Sequence, residues 1–152
     1  MNPMDEAFMR IAIEEAELAL EQGDHPFGAV VVRDGQTIAR GHNTALTDND
    51  PTAHGEVVAI RNACRALKTM LLDNATLYTT CEPCLLCTGA ATHTHIARVV
   101  MGAVLSDAPD YFQHPEKGSL LRVAPHLTLP FEFTTGVLAE ECIRLYTDGD
   151  QR

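Results

Sequence analysis

The chain has 152 residues and a mass of 16.6 kDa, a length that suits one domain, residues 1–152, and lets roughly 70% of the unfolded surface be buried without staples. With 45% hydrophobic and 21% charged residues it fits neither disorder nor a coiled coil, and no apolar run is long enough for a membrane helix. Net charge is −10, from 11 basic and 21 acidic residues, and the scattered bases argue against nucleic acid as a partner.

Phe8, Ile11, Ala12, Ala16, Ala19 and Leu20 recur at helical spacing, which predicts an amphipathic helix over Met4–Glu21 ended by Gly23. The same stretch through Asp24 carries seven acids against Arg10 alone. That is the reverse of a secretory leader, so a soluble, cytoplasmic protein is expected. Phe27–Val32 and Thr37–His42 read as strands joined by a tight turn at Asp34-Gly35. A turn cluster, Asp48–Pro51, precedes a second helix from Thr52 or Ala53 to about Leu67. Thr76–Thr80 is a short third strand, and Pro83 suits the first turn of a helix running to about Thr94. Arg98–Ala103 is apolar and β-branched, as a buried strand is. Ser106–Gly118 reads as a surface loop with a short helical piece, and Leu127–Phe133 as a fifth strand that Pro130 assigns to a sheet edge. Leu138–Tyr146 closes the chain as a helix. Helices between successive strands predict an α/β fold, a three-layer α/β/α sandwich around a mixed five-stranded sheet.

Of the five cysteines, Cys81, Cys84 and Cys87 fall within seven positions. In a chain without an export signal, that crowding favours metal binding or catalysis over disulfides. Two strings carry the chemistry: Pro51-Thr-Ala-His54-Gly-Glu56 and Cys81-Glu-Pro83-Cys84-Leu-Leu-Cys87. Each opens a predicted helix that follows a strand or its loop, the edge of an open α/β sheet where ligands bind. Cys84 and Cys87 share a helix face, and helix N-termini favour thiolates. Two thiolates and one histidine leave a tetrahedral zinc with one open position, where the pKa of bound water falls to about 7. Glu56, beside such a site without ligating it, suits general acid/base work.

His54-x-Glu56 with Pro83-Cys84-x-x-Cys87 matches the signature of zinc deaminases that act on nucleobases. On these motifs the chain resembles the cytidine deaminase-like superfamily, in its nucleobase and tRNA-adenosine branch, over nearly its whole length. Asp48–His54, Ala59-Ile60-Arg61 and Cys81-Glu-Pro-Cys84 look most like bacterial guanine deaminases. His54-Gly55-Glu56 and Leu77–Thr80 look like fungal cytosine deaminases. Ile96–Gly102 and Thr134–Cys142 look like the tRNA adenosine deaminase. The resemblance implies His54, Cys84 and Cys87 as ligands of Zn2+ and Glu56 as proton shuttle. It also implies Asn43 against the base, Phe27 at the pocket wall, His93 in the pocket, and Asp107 or Asp110 reading the edge of guanine. The C-terminal tyrosine of the guanine enzymes has no clear counterpart here unless Tyr146 serves, and the aromatic-acidic tail of fungal cytosine deaminase is missing. A homodimer and a small nucleobase-like substrate follow from the same resemblance.

Plainer roles stand beside these. Asn43 fits an ordinary turn, Phe27 a core position, His93 a solvated face, and Asp107 and Asp110 a polar loop. Cys64 and Cys142 sit in apolar helical stretches as core residues. The expected activity is hydrolytic deamination of a free base, guanine or another amino-purine first, with cytosine analogues or amino-triazines next. One rival is a tRNA adenosine deaminase acting on an anticodon loop. Another is a non-catalytic zinc-stabilised binding protein, with Cys81 closing a four-ligand site.

Overall fold

The computed structural model describes residues 2–112, 118–127 and 131–150. Helix α1 spans Pro3–Glu21. Asn2 caps it by accepting the Met4 N–H at 2.9 Å, Pro3 stands in its first turn, and Asp5 and Glu6 complement the N-terminal dipole. Its end is a Schellman motif in which Gly23 N–H meets Leu20 O (3.1 Å) and Asp24 N–H meets Ala19 O (2.8 Å). Strands β1 (Gly28–Arg33) and β2 (Gln36–His42) flank a two-residue turn. Asp34 and Gly35 have φ of 53° and 74°, the positive pair that a type I′ hairpin requires.

After β2 the chain forms α2 (Ala45–Asp48), α3 (Gly55–Leu67), β3 (Thr76–Cys81), α4 (Leu85–His93) and β4 (Arg98–Ala103). It continues through α5 (Leu120–Val123), β5 (Glu132–Thr134) and α6 (Ala139–Arg144). The sheet order is β2-β1-β3-β4-β5, with β1 antiparallel to both neighbours and β3, β4 and β5 mutually parallel. The start of β1 and the ends of β2, β3 and β4 therefore share one edge of the sheet.

Alternation along the central strands divides the core into two layers. Val30, Val32, Tyr78 and Val100 pack beneath α1 and α6, while Ala29, Val31, Leu77, Val99 and Met101 pack beneath α3 and α4. This is the expected mixed five-stranded sheet with helices on both faces. At the opposite edge Asp5 is buried, and its carboxylate takes both Arg98 guanidinium nitrogens, at 2.9 and 2.8 Å, and the Tyr78 hydroxyl at 2.8 Å. Arg98 also donates to Thr134 Oγ1 at 3.0 Å, so one cluster ties α1 to β3, β4 and β5.

Several boundaries move from their expected places. Helix α3 starts at Gly55 with His54 as its N-cap, and α4 starts at Leu85 with Cys84 as its N-cap, leaving Pro83 just outside. Short α2 and α5, of four residues each, were not expected. The fifth strand, Glu132–Thr134, starts later than the expected Leu127–Phe133, and Leu127 instead ends a 3-10 turn, Ala124–His126. The strand does lie at a sheet edge. Residues 128–130, Pro130 among them, and 113–117 of the expected loop fall outside the described residues. The closing helix stops at Arg144 and is continued by a π-type turn, Leu145–Gly149. Among the described residues no helix is long and apolar enough to cross a membrane.

Candidate active site

The shared edge of the sheet gathers the two motifs. Asp50 Oδ1 accepts the Thr52 N–H (2.9 Å) and hydroxyl (2.7 Å), forming the turn that delivers His54 to the start of α3. Gly55 allows the helix to begin hard against the backbone at the start of β1. A Cβ there would lie 2.9 Å from the Phe27 carbonyl oxygen. On the other side Leu120 N–H donates to Pro83 O at 2.9 Å, and Cys84 forms an isolated bridge with Ser119, which fixes the second motif as it enters α4.

The ligating atoms of His54, Cys84 and Cys87 lie within 4.8 Å of one another. His54 Nδ1 faces both sulfurs, at 3.4 Å from Cys84 Sγ and 3.5 Å from Cys87 Sγ. A tetrahedral zinc with bonds of about 2.0 Å to nitrogen and 2.3 Å to sulfur needs a nitrogen–sulfur edge of about 3.6 Å. The donor set and its spacing therefore fit zinc with three protein ligands. Cys81 is outside this group; it is buried in the layer beneath α1 and α6.

Charge in the triad is shared unevenly. Donation from the Cys87 thiol, with His54 beside it, holds Cys84 down to about 4. Cys87 is pushed up by keeping its proton toward Cys84 and by burial. His54 is raised, chiefly by its contact with Cys84. Cys81 is raised by burial and Cys142 is pushed up by burial to about 12, as befits core thiols, while Cys64, partly buried against the other layer, is also raised by burial. Metal binding to such a cluster displaces its remaining thiol proton.

Glu56, in the first turn of α3, is buried, and burial raises its carboxyl above the usual range. Its Oε1 accepts from Thr79 Oγ1, and the Cys87 thiol reaches its Oε2 at 2.7 Å. Thr79, on β3, was not singled out in the sequence. A buried threonine in an alternating strand looks like packing until the helix opposite is placed.

Asn43 is brought to the same edge. Its N–H donates to Phe27 O at 2.9 Å, and Thr44 N–H donates to Ala53 O at 3.0 Å, beside His54. Phe27 reaches the site through its backbone. Its ring turns into an aromatic cluster with Tyr111, Phe112 and Tyr146, at centroid distances of 6.4, 6.3 and 5.4 Å. Tyr146 is buried and donates its hydroxyl to Thr80 O at 2.7 Å. The Asp150 carboxylate accepts the Tyr111 hydroxyl and lies 3.3 Å from His25 Nδ1, binding the C-terminal segment across these rings.

Three other expected residues are exposed. His93 is exposed in the last turn of α4. Six residues of helix set it about 9 Å along the axis from Cys87. Asp107 is exposed and spends its carboxylate on its own turn, accepting the Val104 N–H at 2.9 Å. Asp110 is exposed in the same loop.

Known proteins are similar to this chain in sequence and in fold. The signature of the family described as the cytidine and deoxycytidylate deaminase zinc-binding region matches residues 2–103. A tRNA-specific adenosine deaminase of Haemophilus influenzae is 41% identical over 144 residues, covering 93% of this chain and 80% of the relative. A guanine deaminase of Bacillus subtilis is 45% identical over 106 residues, covering 69% of this chain and 68% of the relative. A structure from a study of A-to-I editing by tRNA:A34 deaminases superposes with a TM-score of 0.80 at 35% identity. It covers 91% of this chain and 98% of that one.

Proposed function

We propose, for a chain that belongs to the cytidine and deoxycytidylate deaminase zinc-binding family, that it deaminates a free nucleobase, with guanine or a related amino-purine as first choice. That it is a zinc-dependent deaminase follows from the family and the triad. The preference for a small substrate is carried by the C-terminal segment. Asp150, tied to His25 and Tyr111, holds that segment against the aromatic cluster that begins at Phe27. In this reading the segment and the rings form a wall beside the site that suits a flat heterocycle better than a folded loop of RNA. The charge of −10 and the relation to guanine deaminase support the same reading.

In this proposal His54, Cys84 and Cys87 hold the zinc, which supplies Lewis-acid activation of the water that hydrolyses the C–N bond. Asn43 orients the base and Phe27 borders it. Glu56, fixed by Thr79, takes a proton from the attacking water and delivers it to a ring nitrogen of the substrate amidine. The same carboxyl then carries a second proton to the departing amine. Amine and water become carbonyl and ammonia, so the atoms balance. Raised by burial, the Glu56 carboxyl is matched to both giving and taking a proton. One domain and a homodimer belong to the same proposal, and sedimentation of the zinc-loaded protein tests the latter.

Ammonia release from zinc-loaded protein is the test, across guanine, isoguanine, adenine, cytosine, 5-azacytosine, ammeline, their nucleosides and an anticodon stem-loop RNA. Turnover of a free base that drops by about 10²–10⁴-fold in Glu56→Gln, with zinc content unchanged, is the expected result. A second reading, deamination of tRNA adenosine, is favoured by the Haemophilus relative and by the tRNA:A34 deaminase structure. Activity confined to the RNA, with affinity falling steeply as salt rises, establishes that reading instead.

A further inference from the structure

We infer that Asp24 is a positioning residue for Asn43, acting through α2, and that Asn43 consequently presents a hydrogen-bond donor to the substrate. The inference rests on the reading above, in which Asn43 meets the base. Asp24 is fully buried, and its backbone is fixed by the Schellman motif that ends α1. Its Oδ1 accepts the N–H groups of Leu46 and Thr47, both at 3.0 Å, and its Oδ2 accepts the Thr47 hydroxyl at 2.7 Å. Thr44, in the N-cap position of α2, makes no side-chain cap bond. The third amide of that first turn, Ala45 N–H, goes to Asn43 Oδ1 at 2.9 Å. Two side chains from outside the helix thus satisfy the donors that open it.

The consequence falls on Asn43. With Oδ1 engaged, the orientation of its carboxamide is decided by the hydrogen bond rather than left open. Nδ2 makes no hydrogen bond among the described residues, and it is not one of the fully buried polar atoms, so the 4% exposure of Asn43 includes this amide. An accessible amide N–H2 of that kind has two protons to offer an acceptor. On a heterocycle that means a ring nitrogen or a carbonyl oxygen. A four-residue helix is too short to hold itself. Removing the Asp24 carboxylate therefore frees α2, and with it the group that orients Asn43.

The experiment uses zinc-loaded protein with Asp24→Ala, Asn43→Ala and the double variant, assayed on the free base that the wild type turns over. Each single change is expected to raise KM about tenfold with kcat nearly unchanged, and the double variant to be no worse than Asn43→Ala alone. Asp24→Asn, which keeps an Oδ1 acceptor, should recover most of the loss. A substrate-free readout accompanies it: the Asn43 side-chain amide resonances, distinct in the wild type, broaden in Asp24→Ala and return in Asp24→Asn. If Asp24→Ala does not fold, Thr47→Val, which removes one of the three bonds, enters the same cycle. Multiplying KM effects in the double variant, or unaltered Asn43 resonances, overturn the inference. A wild type that turns over no free base refutes the substrate reading instead, and the resonances alone then decide the positioning.

Discussion

Replacing Asp5 by alanine tests how α1 is held to the sheet. The substitution removes two guanidinium bonds from Arg98 and one hydroxyl bond from Tyr78, all at 2.8–2.9 Å. Breaking a buried ion pair from one side costs about 3–5 kcal/mol. Arg98 keeps Thr134 and is 27% exposed, so water partly replaces the lost partner and the lower figure, about 3 kcal/mol, applies. At an unfolding entropy of about 2.1 cal/mol/K per residue, a chain of 152 residues loses about 9 °C in Tm. The Arg98 guanidinium, aided by Tyr78, holds the Asp5 carboxyl below its ordinary value of 3.8. A depressed folded pKa means that this stability is fully present above the unfolded value and is lost as pH falls through the folded one. Scanning calorimetry of wild type and Asp5→Ala should therefore show the whole difference at pH 7 and a narrowing gap below about pH 4. A difference under about 1 kcal/mol at pH 7, or a gap that does not narrow in acid, refutes the reasoning.

Cys81→Ala should retain zinc at full stoichiometry in a metal assay, since Cys81 lies in the opposite layer from the triad; loss of zinc would instead favour a closed four-ligand site. Gly41→Ala should destabilise the protein by about 3 kcal/mol or more in urea titration, because its Cβ would lie 2.3 Å from the Ala59 backbone nitrogen, where no flexible side chain can yield. An unchanged midpoint would show that β2 and α3 can separate at little cost.

What the sequence made legible was local chemistry. Asp34-Gly35 requires one turn geometry, β4 has the bounds expected of an apolar β-branched run, and the two motifs announce their donors without help from distant residues. What stayed hidden depends on contacts between segments far apart. Four residues cannot show a helical period, so α2 and α5 left no trace. The three-residue β5 exists only because β4 offers it a parallel edge. Asp24 read as one more acid in an acidic stretch, since nothing nearby announces that the amides of Leu46 and Thr47 will arrive beside it. Asp107 adds a local use that the sequence did not announce, for its carboxylate accepts an N–H of its own turn.

His54 and Cys84 each occupy the N-cap position of a helix, and neither makes a side-chain cap bond there. Serine, aspartate or asparagine at such a position stabilises a protein by about 1 kcal/mol over a residue that cannot cap. At these two positions, then, selection for folding and selection for chemistry pull apart. A metal-free chain would gain from changing both residues, and a lineage that no longer needed the reaction would drift toward better caps there first. Such drift would leave the sheet, the layers and the outline of the fold untouched while erasing what they hold.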